Sequence, residues 1–131
     1  MKKLTPNLMV ENVDTTIQWY KDVFDAEVIM SVPYTTDETK LQWAMIAIGE
    51  VSLMFQLRAS LEGEIPALKN APIGGSFTMY IDVTDVKSLF ESVKSKAKIV
   101  QDMDTTFYGS KEFAIEDCNA YILAFSEQKQ D

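Results

Sequence analysis

Apolar and polar positions alternate in short runs along this chain, and one long pattern occurs twice. Residues 4–20 read LTPNLMVENVDTTIQWY, and residues 77–93, at an offset of 73, read FTMYIDVTDVKSLFESV. Superposed, Leu8 falls on Ile81, Val10 on Val83, Asn12 on Asp85, Val13 on Val86, Ile17 on Phe90 and Tyr20 on Val93. Each copy is an alternating run of strand type, a small polar residue able to cap a helix, and then apolar residues at helical spacing. A strand feeding a helix, twice at one offset, predicts two copies of one supersecondary unit.

The rest of each half completes the unit. The first strand is expected over residues 4–10, with Asn12 as N-cap and Asp14 in the first turn, where the helix dipole favours an acid. Val13, Ile17, Tyr20 and Phe24 form one apolar stripe. Strands follow at 26–32, 41–48 and 51–57, with a polar turn over 33–39 and a hairpin turn at Gly49-Glu50. Residues 58–75 hold Gly63, Pro66, Pro72, Gly74 and Gly75 and read as the connection between halves, with a turn or two of helix. Its length favours a segment that covers a site. The second half gives a strand over 77–83, a helix capped by Asp85, and strands at 98–101, 111–116 and 121–125. A loop over 103–110 carries Phe107 and Tyr108, and the polar tail 126–131 is expected to fray. The expected organisation is one domain over 1–131: module one over 4–57, the connection 58–75, and module two over 76–126. The class is α+β, two βαβββ modules with strongly curved mixed sheets and the helices outside.

Charge narrows the partners. Twelve Lys and Arg against twenty Asp and Glu leave a net charge of −8. That argues against nucleic acid, which needs a basic footprint, and permits a cationic small ligand, while the preferred reading is an acidic surface that keeps a protein soluble and monodisperse. No apolar run approaches the roughly 18 residues of a membrane span, and the stretch after Met1-Lys2-Lys3 is too short and polar for a signal sequence. A single cysteine, Cys118, forms no internal disulfide. The expected compartment is the cytoplasm.

The chain has no histidine, the commonest metal ligand and general base. Cys118 has Glu116 and Asp117 close by, carboxylates that raise a thiol pKa, and reads as an unremarkable thiol. Glu112, beside Phe113 on a strand, either enters a cavity as a buried acid or pairs with an outside lysine; the ion-paired reading is preferred. No catalytic residue is assigned. Trp43, Met45, Phe55, Tyr80, Phe107 and Tyr108 fall on strands or loops where each is either core or the lining of a cleft. A sheet covered by a helix on one face has a second face to line, so some of them belong to that lining. Together with Thr5, Asn7 and Thr78 they have the makeup of a small-molecule site.

Two βαβββ units in such a chain resemble the glyoxalase, bleomycin-resistance and extradiol-dioxygenase group, the vicinal oxygen chelate superfamily. Trp19-Tyr20, the second-half FTMYIDVTDV and the closing FYGSKEFAIEDCNAYILAF carry the resemblance, over residues 4–126. Cys118, Asn119 and Ala120 stand where the family's hairpin has Pro, Asp and Gly, and Asn119 is the residue suited to a left-handed turn.

In metal-dependent members each half supplies a His, Gln or Glu ligand from its first strand and another from its last. Those positions fall here on Thr5, Met54, Thr78 and Ala124, none a ligand a catalytic divalent ion would choose. The resemblance therefore implies a metal-independent binding protein without cofactor, similar to the bleomycin-resistance branch and sequestering a planar aromatic or cationic compound. The alternatives are a glyoxalase- or dioxygenase-like lyase or isomerase with a degenerate or relocated site, and a ligand-free interaction module. Pseudo-symmetry predicts that Thr5, Met54, Thr78 and Ala124 converge on one cavity. Sheet edges that need cover, and the habit of the proteins resembled, predict a homodimer.

Overall fold

Asn12 and Asp85 open the two principal helices, and each does so in the same way. The Asn12 carboxamide accepts a hydrogen bond from Thr15 N at 3.0 Å, and the Asp85 carboxylate accepts one from Ser88 N at 3.0 Å. Both satisfy an N–H that a helix end leaves unpaired. In the computed structural model, which describes residues 1–128, the chain divides into two units, Met1–Pro72 and Ile73–Asp131. Each is one βαβββ module, the first followed by the connection.

Module one runs β1 (Asn7–Val10), α1 (Val13–Phe24), β2 (Glu27–Tyr34), β3 (Asp37–Ile48) and β4 (Val51–Leu57). Its sheet has the order β1-β4-β3-β2, with β1 parallel to β4 and the other pairs antiparallel. The connection carries α2 (Arg58–Glu64) and a 3-10 turn (Pro66–Leu68). Arg58 fixes it: Nε pairs with Glu11 at 2.7 Å, and Nη1 reaches Glu62 at 3.2 Å and the Ala71 carbonyl at 2.9 Å.

Module two runs β5 (Thr78–Asp82), α3 (Val86–Val93), β6 (Lys98–Thr105), β7 (Lys111–Glu116) and β8 (Ile122–Glu127). Its order, β5-β8-β7-β6, reproduces that of module one, again with the first and last strands parallel. Asn7 pairs with Met54 in the first sheet as Tyr80 pairs with Ala124 in the second. The sequence offset of 73 residues is thus a structural one.

Each helix covers one face of its own sheet. Val13, Ile17, Tyr20 and Val23 of α1 are buried, and the Tyr20 ring lies 5.1 Å from that of Phe55. Val86 and Val93 of α3 are fully buried, while Phe90 is half-buried with its ring 5.2 Å from that of Phe113. The side chains directed at the helices (Leu8, Val10, Ile46, Leu53, Phe55 in one sheet; Phe113, Ile115, Leu123, Phe125 in the other) are the cores of the modules.

The elements depart from the sequence expectation at their ends. β1 begins at Asn7 because Pro6 has no N–H to give the ladder; its carbonyl still accepts from Met54 N at 2.9 Å. β2 runs through Pro33 to Tyr34 and β3 starts at Asp37, so the expected turn over 33–39 shrinks to two residues. β2 is an edge strand, and Pro33 sits at a register shift, which is where a sheet accepts proline. β6 likewise continues to Thr105 across two register shifts. β8 extends to Glu127, so the first residues of the expected tail are ordered in a strand; residues 129–131 lie outside the described region. In the last hairpin the left-handed residue is Ala120, with φ of 68°, and not Asn119.

Candidate functional site: a carboxylate under hydroxyls on the open face of the second sheet

Strand alternation splits β7 between two environments. Phe113 and Ile115 point to α3, so Glu112 and Ala114 lie on the opposite face, which carries no helix. Cross-strand register puts Ser126 beside Glu112, and Ala124 beside both Ala114 and Tyr80. Thr78 shares this face, two residues before Tyr80, in register with Ile122.

Glu112 is the centre of that face. Only 9% of it is exposed, yet its carboxylate has no cationic partner among the described residues. Its partners are hydroxyls. Tyr80 donates to Oε2, as do Tyr108 at 2.9 Å and Ser110 at 2.9 Å. Ser110 Oγ lies 2.6 Å from Ser126 Oγ, which also accepts from Gln128 at 2.9 Å. Burial is the largest single influence on Glu112 and pushes its pKa up. Hydrogen bonds from Tyr80, Tyr108, Ser110 and Ser126 together outweigh it and leave the carboxyl below its ordinary value of 4.5. The bond to Glu112 in turn raises the Tyr108 phenol above its ordinary 10.0.

A tight loop aims two of these donors. Thr106 N donates to the Ser110 carbonyl at 2.8 Å, Gly109 N to the Thr106 carbonyl at 3.0 Å, and Ser110 N to Thr106 Oγ1 at 3.1 Å. Gly109, with φ of 85°, closes the turn in a conformation other residues rarely take. Tyr108 and Ser110 then flank Gly109 with both hydroxyls on Glu112, while Phe107 is fully exposed at the tip, its ring 4.9 Å from Tyr108. The exposure of Tyr80 and Tyr108, 51% and 55%, shows that these rings are not core.

The open face of module one is built at matching positions from different chemistry. Asn7 and Met54 correspond to Tyr80 and Ala124; Trp43 and Gln56 correspond to Glu112 and Ser126. Trp43, Met45 and Met54 are half-buried there. Asn7 Nδ2 donates to Gln56 Oε1 at 2.8 Å, and Gln56 Nε2 donates to Ser60 Oγ at 2.9 Å. Thr5 precedes β1 and is half-buried. Phe55 is placed apart from the other candidates: it lies on the helix-covered face, fully buried against Tyr20, as the alternation with Met54 requires. Module one also holds a cavity of about 360 Å³ near the start of α1, lined by Glu11, Asp14, Tyr34, Asp37, Lys40 and Leu41 among others. None of the residues expected in a site lines it.

The sequence profile of the Glyoxalase/Bleomycin resistance protein/Dioxygenase superfamily matches residues 4–125. The chain belongs to this superfamily. Three solved structures show the shared fold. TioX from Micromonospora sp. ML1 is 17% identical, with a TM-score of 0.74 over 98% of this chain and 100% of its own. A glyoxalase/bleomycin resistance protein/dioxygenase family enzyme from Burkholderia phytofirmans PsJN is 16% identical, with a TM-score of 0.75 over 94% and 95%. A bleomycin-binding protein complexed with bleomycin is 15% identical, with a TM-score of 0.68 over 98% and 100%. No curated protein matches the sequence.

The metal chemistry of this superfamily does not fit the residues present. The four mapped positions offer the hydroxyls of Thr5 and Thr78, the thioether of Met54 and the methyl of Ala124. Hydroxyl, thioether and methyl groups are poor competitors with water for a borderline or hard divalent ion. Among the described residues no group of three or more Cys, Asp or Glu side chains is arranged to hold one.

Three members of the hydroxyl cluster, Ser110, Glu112 and Ser126, are absent from the site expected from sequence. The signal was present in the strand period: Phe113 and Ile115 claim the helix-facing side, which turns Glu112 away from it. The ion pair expected for Glu112 is not formed. Its neighbours in register are Ser126 and Asp104, whereas Lys98, on the neighbouring strand, pairs with Glu116 at 3.2 Å. Cys118 is exposed in the hairpin turn, its Sγ accepting from Asn119 Nδ2 at 3.5 Å.

Proposed function

We propose that this chain is a metal-independent small-molecule binding protein that sequesters a planar aromatic or cationic compound, acting in the cytoplasm as a homodimer. One observation carries the reading: the open sheet faces hold large aromatic and thioether side chains accessible instead of burying them. Trp43, Met45 and Met54 occupy that face in module one and Tyr80 in module two, with Tyr108 beside it. Accessible rings around a few convergent polar groups are the usual makeup of a ligand site. The same fold serves a bleomycin-binding protein seen in complex with bleomycin, so it can hold a small molecule. In the described residues no helix is long and apolar enough to cross a membrane.

A relocated active site would need Glu112 as its base. A carboxylate held below its ordinary value is poorly matched to that role, since a general base works best with a pKa near the working pH. Recognition of charge is the better use of the group.

A thermal-shift screen against planar aromatic and cationic compounds tests the reading. A ligand present at a hundredfold excess over its Kd adds about 2.7 kcal/mol of stability, a readily measured rise in Tm. Elemental analysis of the purified protein is the counter-test. Stoichiometric zinc, nickel, manganese or iron would overturn metal independence, and a panel that leaves Tm unmoved would overturn the binding role.

A further inference from the structure

We infer that Glu112 is the recognition anion for a small organic cation, a protonated amine or amidine, received on Oε1 between the half-exposed side chains of Tyr80 and Tyr108. The inference rests on the binding role proposed above and names the chemical class of the ligand.

The other buried or half-buried acids have structural work. Asp117 Oδ1 holds the last hairpin by accepting from Asn119 N at 2.8 Å and Tyr121 N at 2.9 Å. Glu127 accepts from Val86 N at 3.0 Å and so ties α3 to β8. Glu62 pairs with Arg58 and accepts from Asn70 N, and Glu116 pairs with Lys98. Glu112 takes neither a cation nor a backbone N–H among the described residues; Tyr80, Tyr108 and Ser110 donate hydroxyls to Oε2, and the Ser126 hydroxyl beside them also favours the charge. A neutral glutamine would satisfy hydroxyls without the desolvation a buried charge incurs, so the charge itself calls for an explanation.

The two oxygens are used unequally. All three hydroxyl bonds end on Oε2, while a carboxylate has about four acceptor positions across its two oxygens. No buried side-chain oxygen among the described residues lacks a partner, so Oε1, which takes none of the three, lies in the small part of Glu112 that water reaches. An anion thus stands fixed from behind by donors on Oε2, with Oε1 left at the accessible edge of the residue.

What surrounds the opening suits a cation. Tyr80 and Tyr108 are tied to the carboxylate through their hydroxyls, and tyrosine rings attract organic cations. Asp104 is in register with Glu112 from β6, and Asp82 is in register with Ser126 from β5; both are exposed and add negative potential. No lysine or arginine forms an ion pair with either among the described residues. The net charge of −8 draws cations from a distance.

Benzamidine and benzamide separate charge from shape: they are near-isosteric, and only the first is a cation at neutral pH. Calorimetric titration of the full chain should show benzamidine binding about tenfold or more tightly over benzamide, a difference of about 1.4 kcal/mol. Glu112→Gln, with its fold verified by circular dichroism, should remove that preference. In the wild type, the ring resonances of Tyr80 and Tyr108 should move on adding benzamidine, a readout that decides the matter if the variant does not fold. Equal binding of the two probes, a preference that survives Glu112→Gln, or shifts confined to other residues would each overturn the inference while leaving the binding role standing. Absence of binding by benzamidine overturns the inference; only silence across the whole aromatic panel would also remove the role.

Discussion

Tyr80 on β5 and Glu112 on β7 are hydrogen-bonded across β8, the strand that runs between theirs. The contact is possible because the intervening positions of that face are Ala124, in register with Tyr80, and Ala114 beside it. Two methyl-sized side chains leave room for a tyrosine to reach over them. Ala124, expected from the family resemblance at a metal-ligand position, is one of the two small residues over which the tyrosine reaches the carboxylate.

The hydroxyl shell has a consequence for acid stability. Burial, the largest influence, raises the Glu112 pKa, but four hydroxyl groups together bring it below 4.5, so the unfolded chain binds that proton more tightly. The resulting stability is present above pH about 4.5 and is lost as the pH falls through the lower native value. Glu112→Gln carries no such proton. Tyr80, Tyr108, Asp82 and Asp104, the titratable neighbours, are present in both proteins, so the comparison reads the Glu112 charge together with its effect on them. The difference in denaturation midpoint between wild type and variant should therefore change steadily in the variant's favour across the acid range. A difference independent of pH would contradict the charge assigned to Glu112.

Ala120 should be improvable. Its φ of 68° is the left-handed region, which disfavours a residue with a Cβ. Ala120→Gly should stabilise the protein by about 1 kcal/mol, read as a higher urea midpoint at unchanged slope. An unchanged or lower midpoint would mean that the hairpin is not strained at this residue.

Ile17 tests the core of module one. It lies on α1 with 7% exposure, in the stripe that includes Val13 and Tyr20. Ile17→Ala should cost roughly 2–5 kcal/mol, the range for truncating a buried aliphatic side chain. A loss below about half a kcal/mol, the range of ordinary surface changes, would contradict its burial against the sheet.

The fold was readable in the chain because it is written twice: the match of Asn12 to Asp85 and of Val13 to Val86 marks both caps and both helix stripes. Strand ends were less readable, since Pro33 looks like a turn residue and only the edge position of β2 lets it remain in a strand. The site was legible through residue type at Tyr80 and Tyr108 but not at Phe55, whose ring looks the same in sequence whether it faces a helix or solvent. Glu112 was misjudged because an acid on a strand is usually paired outward. Its true surroundings depend on a cross-strand register that brings Ser126 to it from 14 residues further along the chain.

The homodimer is expected to form on β2. This strand pairs only with β3, so one of its ladder sides is open, and Val28, Ile29, Met30 and Val32 along it are all exposed. An unprotected apolar edge is an invitation to pair with another chain. The other sheet edges are β1, β5 and β6; β1 and β5 are short, at four and five residues, and β6 exposes Val100 but interleaves Lys98, Asp102 and Asp104, the charges that discourage such pairing. Sedimentation of the wild type at micromolar concentration should give a dimer, and the double change Ile29→Lys with Met30→Lys should give a monomer with unaltered circular dichroism. A wild type that sediments only as monomer would remove the dimer. A dimer that persists in the double variant would move the seam away from β2, because two lysines on a paired edge strand place like charges across the interface with little solvent to screen them.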